Sequence, residues 1–386
     1  MTESLKHAAG AARVWLFEHA LPIWWERGYD RVARCFHERL NLDGGPAAPE
    51  PRRVRVQARQ TFVYALAGRL GWSGPWREAV EAGANILLRR ALRPDGGTRH
   101  LLAPDGAPLD DRRDLYDAAF VLLGLSEAAR ALDKRPDLID AATRLEGWVH
   151  WYWAHPEGGF EEGEVCPSPP RRQNPHMHFL EALLSFHETT GDALHLARAS
   201  DLAQLFGDKL FDAAHGALPE FYDETWRPMS DRLGRVVEPG HHFEWCWLLH
   251  RWRALGGEDF TAEAERLRSH AETHGVENGA ACDEILIDGG ASKKTARLWP
   301  QTERLKANLI RFETTGDAEA AAAALEAYEM IRAFCDTSTP GLWYDLRTPD
   351  GAFIREPARA SSFYHIALAL SELIRVGEAS GQDTRS

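Results

Sequence analysis

Sulfur is scarce in this chain of 386 residues, which carries five cysteines and four methionines. Cys35, Cys166, Cys246, Cys282 and Cys335 are odd in number, scattered and without a CxxC pair, which argues against a disulfide framework or a zinc ribbon. Positive charge is also short: 45 Lys and Arg face 58 Asp and Glu, a net charge of −13. Nucleic-acid binders carry a basic footprint, so no nucleic acid is expected as partner. No apolar run approaches the roughly 18 to 20 residues needed to cross a bilayer, and the opening MTESLKHAAGAARVW lacks the layout of a signal peptide. The expectation is a cytoplasmic protein without a membrane partner. A GxGxxG turn, a Walker A loop and a GxSxG elbow are all missing, which removes the signatures of nucleotide binding and serine hydrolysis.

What is abundant is the pair of large nitrogen heterocycles, with 14 Trp and 17 His. A repeat explains where some of them fall. Small glycine turns recur at Gly45, Gly97, Gly159, Gly216, Gly279 and Gly341, separated by 52 to 63 residues. A second series, expected to end helices, runs through Gly71, Gly191, Gly257, Gly316 and Gly377; its steps are 59 to 66 residues with one double step of 120, whose middle is the ALDKRPD turn at Lys134. Two series with one period imply six units. Each unit pairs an amphipathic stretch, such as Trp76 to Leu92 or Ala262 to Gly275, with one apolar nearly all round, such as those starting at His178, His242 and Tyr364. Six such hairpins without polar capping repeats predict an all-α, closed (α/α)6 barrel occupying residues 1–386 as one domain, with an open solenoid as the alternative.

Counting back 12 or 13 residues from the terminal glycines reaches Arg59, His178, Glu244, Glu303 and His365, with Tyr116 and His241 one turn before the equivalent places in their own units. That is about 20 Å of helix, so polar groups gather at one depth. Pro175, Pro239 and Pro300 mark helix starts there, with Asn174 as a cap and Trp299 as a wall. The pocket is therefore expected at helix N-termini, whose free N–H groups favour an oxyanion. Two histidines on opposite walls can take a proton from carbon and return it elsewhere. Glu244 is expected to orient His241 or favour its charge, Arg59 to stabilise an enediolate, and Trp299 to face a sugar ring. Trp343 could do the same, while Trp245 and Trp247 read better as core. Neither His176 with His178 nor His241 with His242 has the helical spacing that chelates a metal from one face, so neither a metal nor another cofactor is expected. Glu244 and Glu303 as a glycosidase pair is a rival reading that leaves the histidines idle.

At these residues the sequence resembles the N-acylglucosamine 2-epimerase superfamily, which includes cellobiose 2-epimerases, mannose isomerases and other aldose–ketose isomerases. The resemblance runs from Ala58 to the SSFYHIALALSE segment at Ser361 and rests on RQNPHMHFLEA, EPGHHFEW, LWPQTERL and FYHI. It implies His241 and His365 as catalytic acid and base, Glu244 as their carboxylate partner, and Arg59, Tyr116, Asn174, His178 and Trp299 as substrate-binding groups, with Glu303 beside them. It also implies a metal-free route through a cis-enediol. The RQNPHMH and ASSFYHI wording is closest to the mannose isomerases, so the expected reaction interconverts D-mannose and D-fructose. A sugar 2-epimerase is the alternative, with an (α/α)6 glycoside hydrolase or a sugar-binding toroid behind it. The expected partner is a monosaccharide, the expected state a monomer or homodimer, and Arg172 could meet an anionic group.

Overall fold

Two concentric rings of helices make up the computed structural model, which describes residues 2–379. The chain enters on the outer ring through α1 (Thr2–Val14), a π-helical turn over Trp15–Ala20, and α2 (Leu21–Glu26). It then alternates between inner helices α3 (Val54–Arg69), α5 (Leu115–Ala131), α7 (Gln173–Thr190), α9 (Pro239–Ala254) and α11 (Leu298–Thr315) and outer helices α4 (Trp76–Ile86), α6 (Pro136–Tyr152), α8 (Ala193–Leu205), α10 (Thr261–Gly275) and α12 (Ala318–Phe334). The inner helix α13 (Ala360–Ala379) packs against α3 on one side and α11 on the other, so the inner ring closes. Its outer partner is α1, which joins the start of the described chain to its end. This is the (α/α)6 toroid. No helix among the described residues is long and apolar enough to cross a membrane.

The two helix characters follow from where each face ends up. Nearly every residue of α5 from Leu115 to Ala129 is buried, because inner neighbours and an outer helix cover it on all sides. By contrast α4 buries Ala79, Val80, Gly83, Ala84 and Ile86, packs Trp76 and Ala82 partly against the core, and leaves Arg77, Glu78, Glu81 and Asn85 wet. Gly191 and Gly316 end α7 and α11 in the left-handed conformation, at φ of 78° and 71°, which glycine adopts without a Cβ penalty. The α9 unit instead turns at Gly256, since Gly257 lies flat against Trp252. The Gly377 expectation fails. That residue lies inside α13, where a Cβ would stand 2.5 Å from the Ala9 Cβ; glycine is there to let α1 approach, not to end a helix.

The helix starts also differ from expectation. α7 and α11 begin at Gln173 and Leu298, capped by Arg172 and Arg297, so Asn174 is within the first turn and Pro175 and Pro300 are third residues. Proline is tolerated there because the first turn's N–H groups have no acceptor inside the helix. Only Pro239 holds the first position. Each of these inner helices is entered from a two-residue strand, as when Arg171–Arg172 pairs antiparallel with Phe221–Tyr222, and Ala296–Arg297 with Leu346–Arg347. These ladders tie neighbouring units together at the end of the ring where the inner helices begin.

Candidate active site

A repeated side-chain device fixes the inner helix starts. Gln57 accepts from the Phe36 N–H and donates to its carbonyl, at 2.8 and 2.9 Å, and Gln301 treats Ala281 the same way, at 2.8 Å in both directions. His176 accepts from the Phe160 N–H at 3.0 Å, and His242 from the Leu218 N–H at 2.9 Å. Burial pushes both imidazoles down to about 3, which suits a neutral acceptor. In all four helices the residue two further on turns the opposite way, about 200° around the axis, toward the ring centre. Those residues are Arg59, His178, Glu244 and Glu303. His176 and His242 are thus committed to the scaffold, and the HxH and HH pairs do not act together on one ligand.

Arg59, Tyr116, Asn174, His178, His241, Glu244, Trp299 and His365 line one cavity of about 160 Å³ at the inner helix N-termini. Glu238, Arg297, Ser361 and Ser362 join them, none of which the sequence singled out. Arg59 donates to the Tyr116 hydroxyl at 2.8 Å and to the Ser361 carbonyl at 3.1 Å, with its guanidinium 4.0 Å from the Phe120 ring centroid. The Asn174 Oδ1 is buried without a hydrogen-bond partner, which leaves it open to a ligand. The Trp299 indole stands between the two candidate catalytic histidines, with centroids 5.0 Å from His241 and 5.6 Å from His365.

The histidines occupy opposite electrostatic settings. The His241 Nδ1 lies 2.9 Å from both oxygens of Glu220, so Nδ1 carries the proton and donates. Burial works against its charge, but the carboxylates of Glu220, Glu238 and Glu244 outweigh it and lift the imidazole to about 9. The His365 Nδ1 is 2.9 Å from Glu303 Oε1, yet Glu303 also pairs with the buried Lys306 at 2.6 Å. Burial, together with Arg59, His178 and Lys306, holds His365 well below the usual imidazole range. His178 is pushed down to about 4, chiefly by burial, and donates from Nδ1 to Glu181, itself held at about 2 against burial by His178 and Lys306. Glu244 is raised well above the carboxylate range by burial and by Glu303.

Several expectations are redistributed. The partner of His241 is Glu220 rather than Glu244, because Glu244 is directed at the ring centre, 3.8 Å from His178 Nε2. Glu303 stands behind His365 instead of on the cavity wall, paired with Lys306. Arg172 is spent on Glu162, at 2.6 Å. Trp343 stacks on Trp24 at 4.9 Å in the core, and Trp245 packs on Phe206 while donating to Gln173 at 2.7 Å. Three sets of side chains could gather a cation, with ligand atoms within 4.8 Å of one another: His178 with Glu181 and Glu244, Glu220 with Glu238 and His241, and Glu244 with Glu303 and His365. Lys306 and Arg59 already supply positive charge beside the first and third sets, and Arg297 beside the second.

The chain matches the N-acylglucosamine 2-epimerase (GlcNAc 2-epimerase) family over residues 35–369. It is 39% identical over 374 residues to a mannose-6-phosphate isomerase of Rhizobium meliloti (strain 1021), covering 95% of this chain and 96% of the relative. A D-mannose isomerase of Thermobifida fusca is 28% identical, with 80% of this chain and 81% of the relative covered. The structure of cellobiose 2-epimerase from Bacillus thermoamylovorans B4167 superposes with a TM-score of 0.86 at 20% identity, over 95% of this chain and 98% of that one, and so shares the fold. With the match spanning most of the sequence and a relative of this similarity aligned almost end to end, the chain belongs to the N-acylglucosamine 2-epimerase family of sugar isomerases and epimerases.

Proposed function

We propose that the protein is an aldose–ketose isomerase that interconverts free D-mannose and D-fructose. The observation that carries this reading is the opposed setting of two histidines on one small cavity: His241 donates to a Glu220 that favours its charged form, while the Glu303 beside His365 is paired with Lys306, which favours a neutral ring. A neutral imidazole can accept a proton from carbon, and a charged one can donate to oxygen. In the open-chain aldose, His365 takes the C2 proton while the electron pair forms the C1=C2 bond and O1 receives a proton from His241. The cis-enediol then returns its O2 proton to His241, C2=O forms, and His365 delivers its proton to C1. Arg59, free of any carboxylate partner among the described residues, supports the oxygen that carries developing charge. Trp299 offers an apolar face to the sugar between the two bases.

The choice of mannose draws on the names of the two relatives. The choice of an unphosphorylated sugar draws on the cavity: its volume of about 160 Å³ is below the roughly 300 Å³ of drug-sized pockets, and its second arginine, Arg297, is bridged by Asp283 and Glu238. The test is incubation in D2O with mannose, and in parallel with mannose 6-phosphate, followed by NMR. Fructose is the expected product, with deuterium at C1 to the extent that the proton held by His365 exchanges with solvent before it is returned. No ketose and no exchange at C1 or C2 refutes the isomerase, conversion of the phosphate alone refutes the free sugar, and deuterium at C2 of an epimer without ketose selects an epimerase.

A further inference from the structure

Glu220 belongs to a clamp repeated at five inner helix starts and changed at two of them: at α13 Arg359 turns to Glu356 and leaves Asp345 to Ser362, and the α9 start has no arginine. At five inner helix starts, a carboxylate from the preceding segment accepts the backbone N–H of the capping residue: Glu38 takes Arg53 at 2.7 Å, Glu162 takes Arg172 at 2.5 Å, Glu220 takes Glu238 at 3.2 Å, Asp283 takes Arg297 at 2.9 Å and Asp345 takes Arg359 at 2.8 Å. In three of them the capping arginine also turns its own Nε back to the same carboxylate, Arg53 at 2.8 Å, Arg172 at 2.6 Å and Arg297 at 2.8 Å. On Glu38 and Glu162 the two bonds fall on different oxygens and close a bidentate ring; on Asp283 both fall on Oδ1 and the Thr295 hydroxyl donates to Oδ2, so each carboxylate is used up.

The α9 unit departs from this pattern at one residue. Its capping residue is Glu238, which has no guanidinium to offer and instead accepts from Arg297 of the next unit at 2.8 Å. The buried Glu220 keeps the backbone bond and gains two other donors, Gln173 Nε2 at 2.9 Å and His241 Nδ1 at 2.9 Å. His241 is three residues beyond the cap, on the first turn of α9, so its ring reaches the carboxylate that an arginine would otherwise cover. The groups facing His241 from its neighbours are Glu238 and Glu244 on its own segment, Glu220 from the preceding loop, Trp299 of α11 and His178 of α7.

We propose that Glu220 is the positioning residue of His241, a structural carboxylate diverted to the catalytic imidazole by the glutamate at the helix cap. By accepting from Nδ1 it fixes the ring orientation and tautomer and leaves Nε2 to the cavity. This rests on the reading of His241 as an acid–base group, but one of its tests needs no substrate. In the wild type the His241 ring proton, assigned by NMR through comparison with His241→Gln, is expected to titrate near 9. In Glu220→Gln it is expected to move at least one pH unit toward the ordinary 6.5, and Glu220→Asp is expected to hold it up. With the D2O assay as readout, Glu220→Gln lowers kcat by about 100-fold or more with little change in KM, and brings down the alkaline limb of the pH profile. Glu238→Arg restores the ordinary clamp while Arg297 keeps Asp283, and is expected to draw Glu220 away and reproduce the same shifts. A His241 titration unmoved in both Glu220→Gln and Glu238→Arg overturns the proposal; an inactive wild type with the shift intact overturns the functional reading instead.

Discussion

If His241 is charged in the folded state because the Glu220 carboxylate and its acidic neighbours surround it, that charge must also stabilise the fold, and with a definite pH dependence. The unfolded chain releases this proton near 6.5 and the folded one near 9. At about 1.4 kcal/mol per pH unit, the difference is about 3 kcal/mol of stability. The sign follows from a raised folded value: the contribution is complete below 6.5, falls as pH rises through the interval, and is gone above 9. His241→Gln removes it at every pH. Urea unfolding of both proteins at about pH 6 and about pH 10 isolates it, because groups common to both cancel in the difference. The gap between wild type and variant is expected to shrink by about 3 kcal/mol on going to the higher pH. A gap that stays constant within 1 kcal/mol or so refutes the account of His241 as a buried cation.

Two further perturbations address the other side of the cavity. Lys306→Met deletes the cation that pairs with Glu303 at 2.6 Å, so Glu303 is left to charge His365; the acid limb of kcat/KM is expected to move up in pH and stability to fall by about 3 to 5 kcal/mol, and a pH profile that keeps its acid limb counts against the role given to Lys306. Gly240→Ala places a Cβ 2.5 Å from the Trp299 ring and 3.1 Å from the Pro300 Cβ, so the indole must shift between the histidines; KM is expected to rise several-fold at a stability cost of about 1 to 3 kcal/mol, and an unchanged KM argues that the indole does not meet the sugar.

The period of about 60 residues was legible because helix-ending turns need glycine at positive φ, as Gly191 and Gly316 show. The same logic misread Gly377, where the missing Cβ serves close helix packing, a use of glycine that leaves the same mark in a sequence. Asn174 was taken for a cap because proline is commonest at the first helical position, whereas the strand ladders start the helix earlier. Those ladders are two residues long and carry no alternation to detect. Arg59, His178, Glu244 and His365 were recoverable by counting because they sit at a fixed depth on the inner helices, whereas Ser361 and Ser362, one turn earlier on α13, fall outside that count. Glu220 was not recoverable either, since it comes from a loop outside that register and reaches the site only through the clamp. Lys306 carries no signal of its own in the sequence: Glu303 and Lys306 have the i, i+3 spacing of an ordinary surface pair, and burial alone sets this pair apart.

The pairing of a scaffold residue with a pocket residue two positions later divides labour along a single turn. In four helices the first of the pair does one unvarying job, gripping a loop backbone, while the second is an arginine, a histidine or a glutamate. The ring is therefore a frame with interchangeable inserts: a change at the second position alters the side chain turned toward the ring centre, on the cavity wall for Arg59, His178 and Glu244 and behind it for Glu303, without loosening the grip that holds it in place. A fold organised this way can reshape its cavity one residue at a time, because the positions that hold it together and the positions that face its centre are neighbours in sequence and strangers in space.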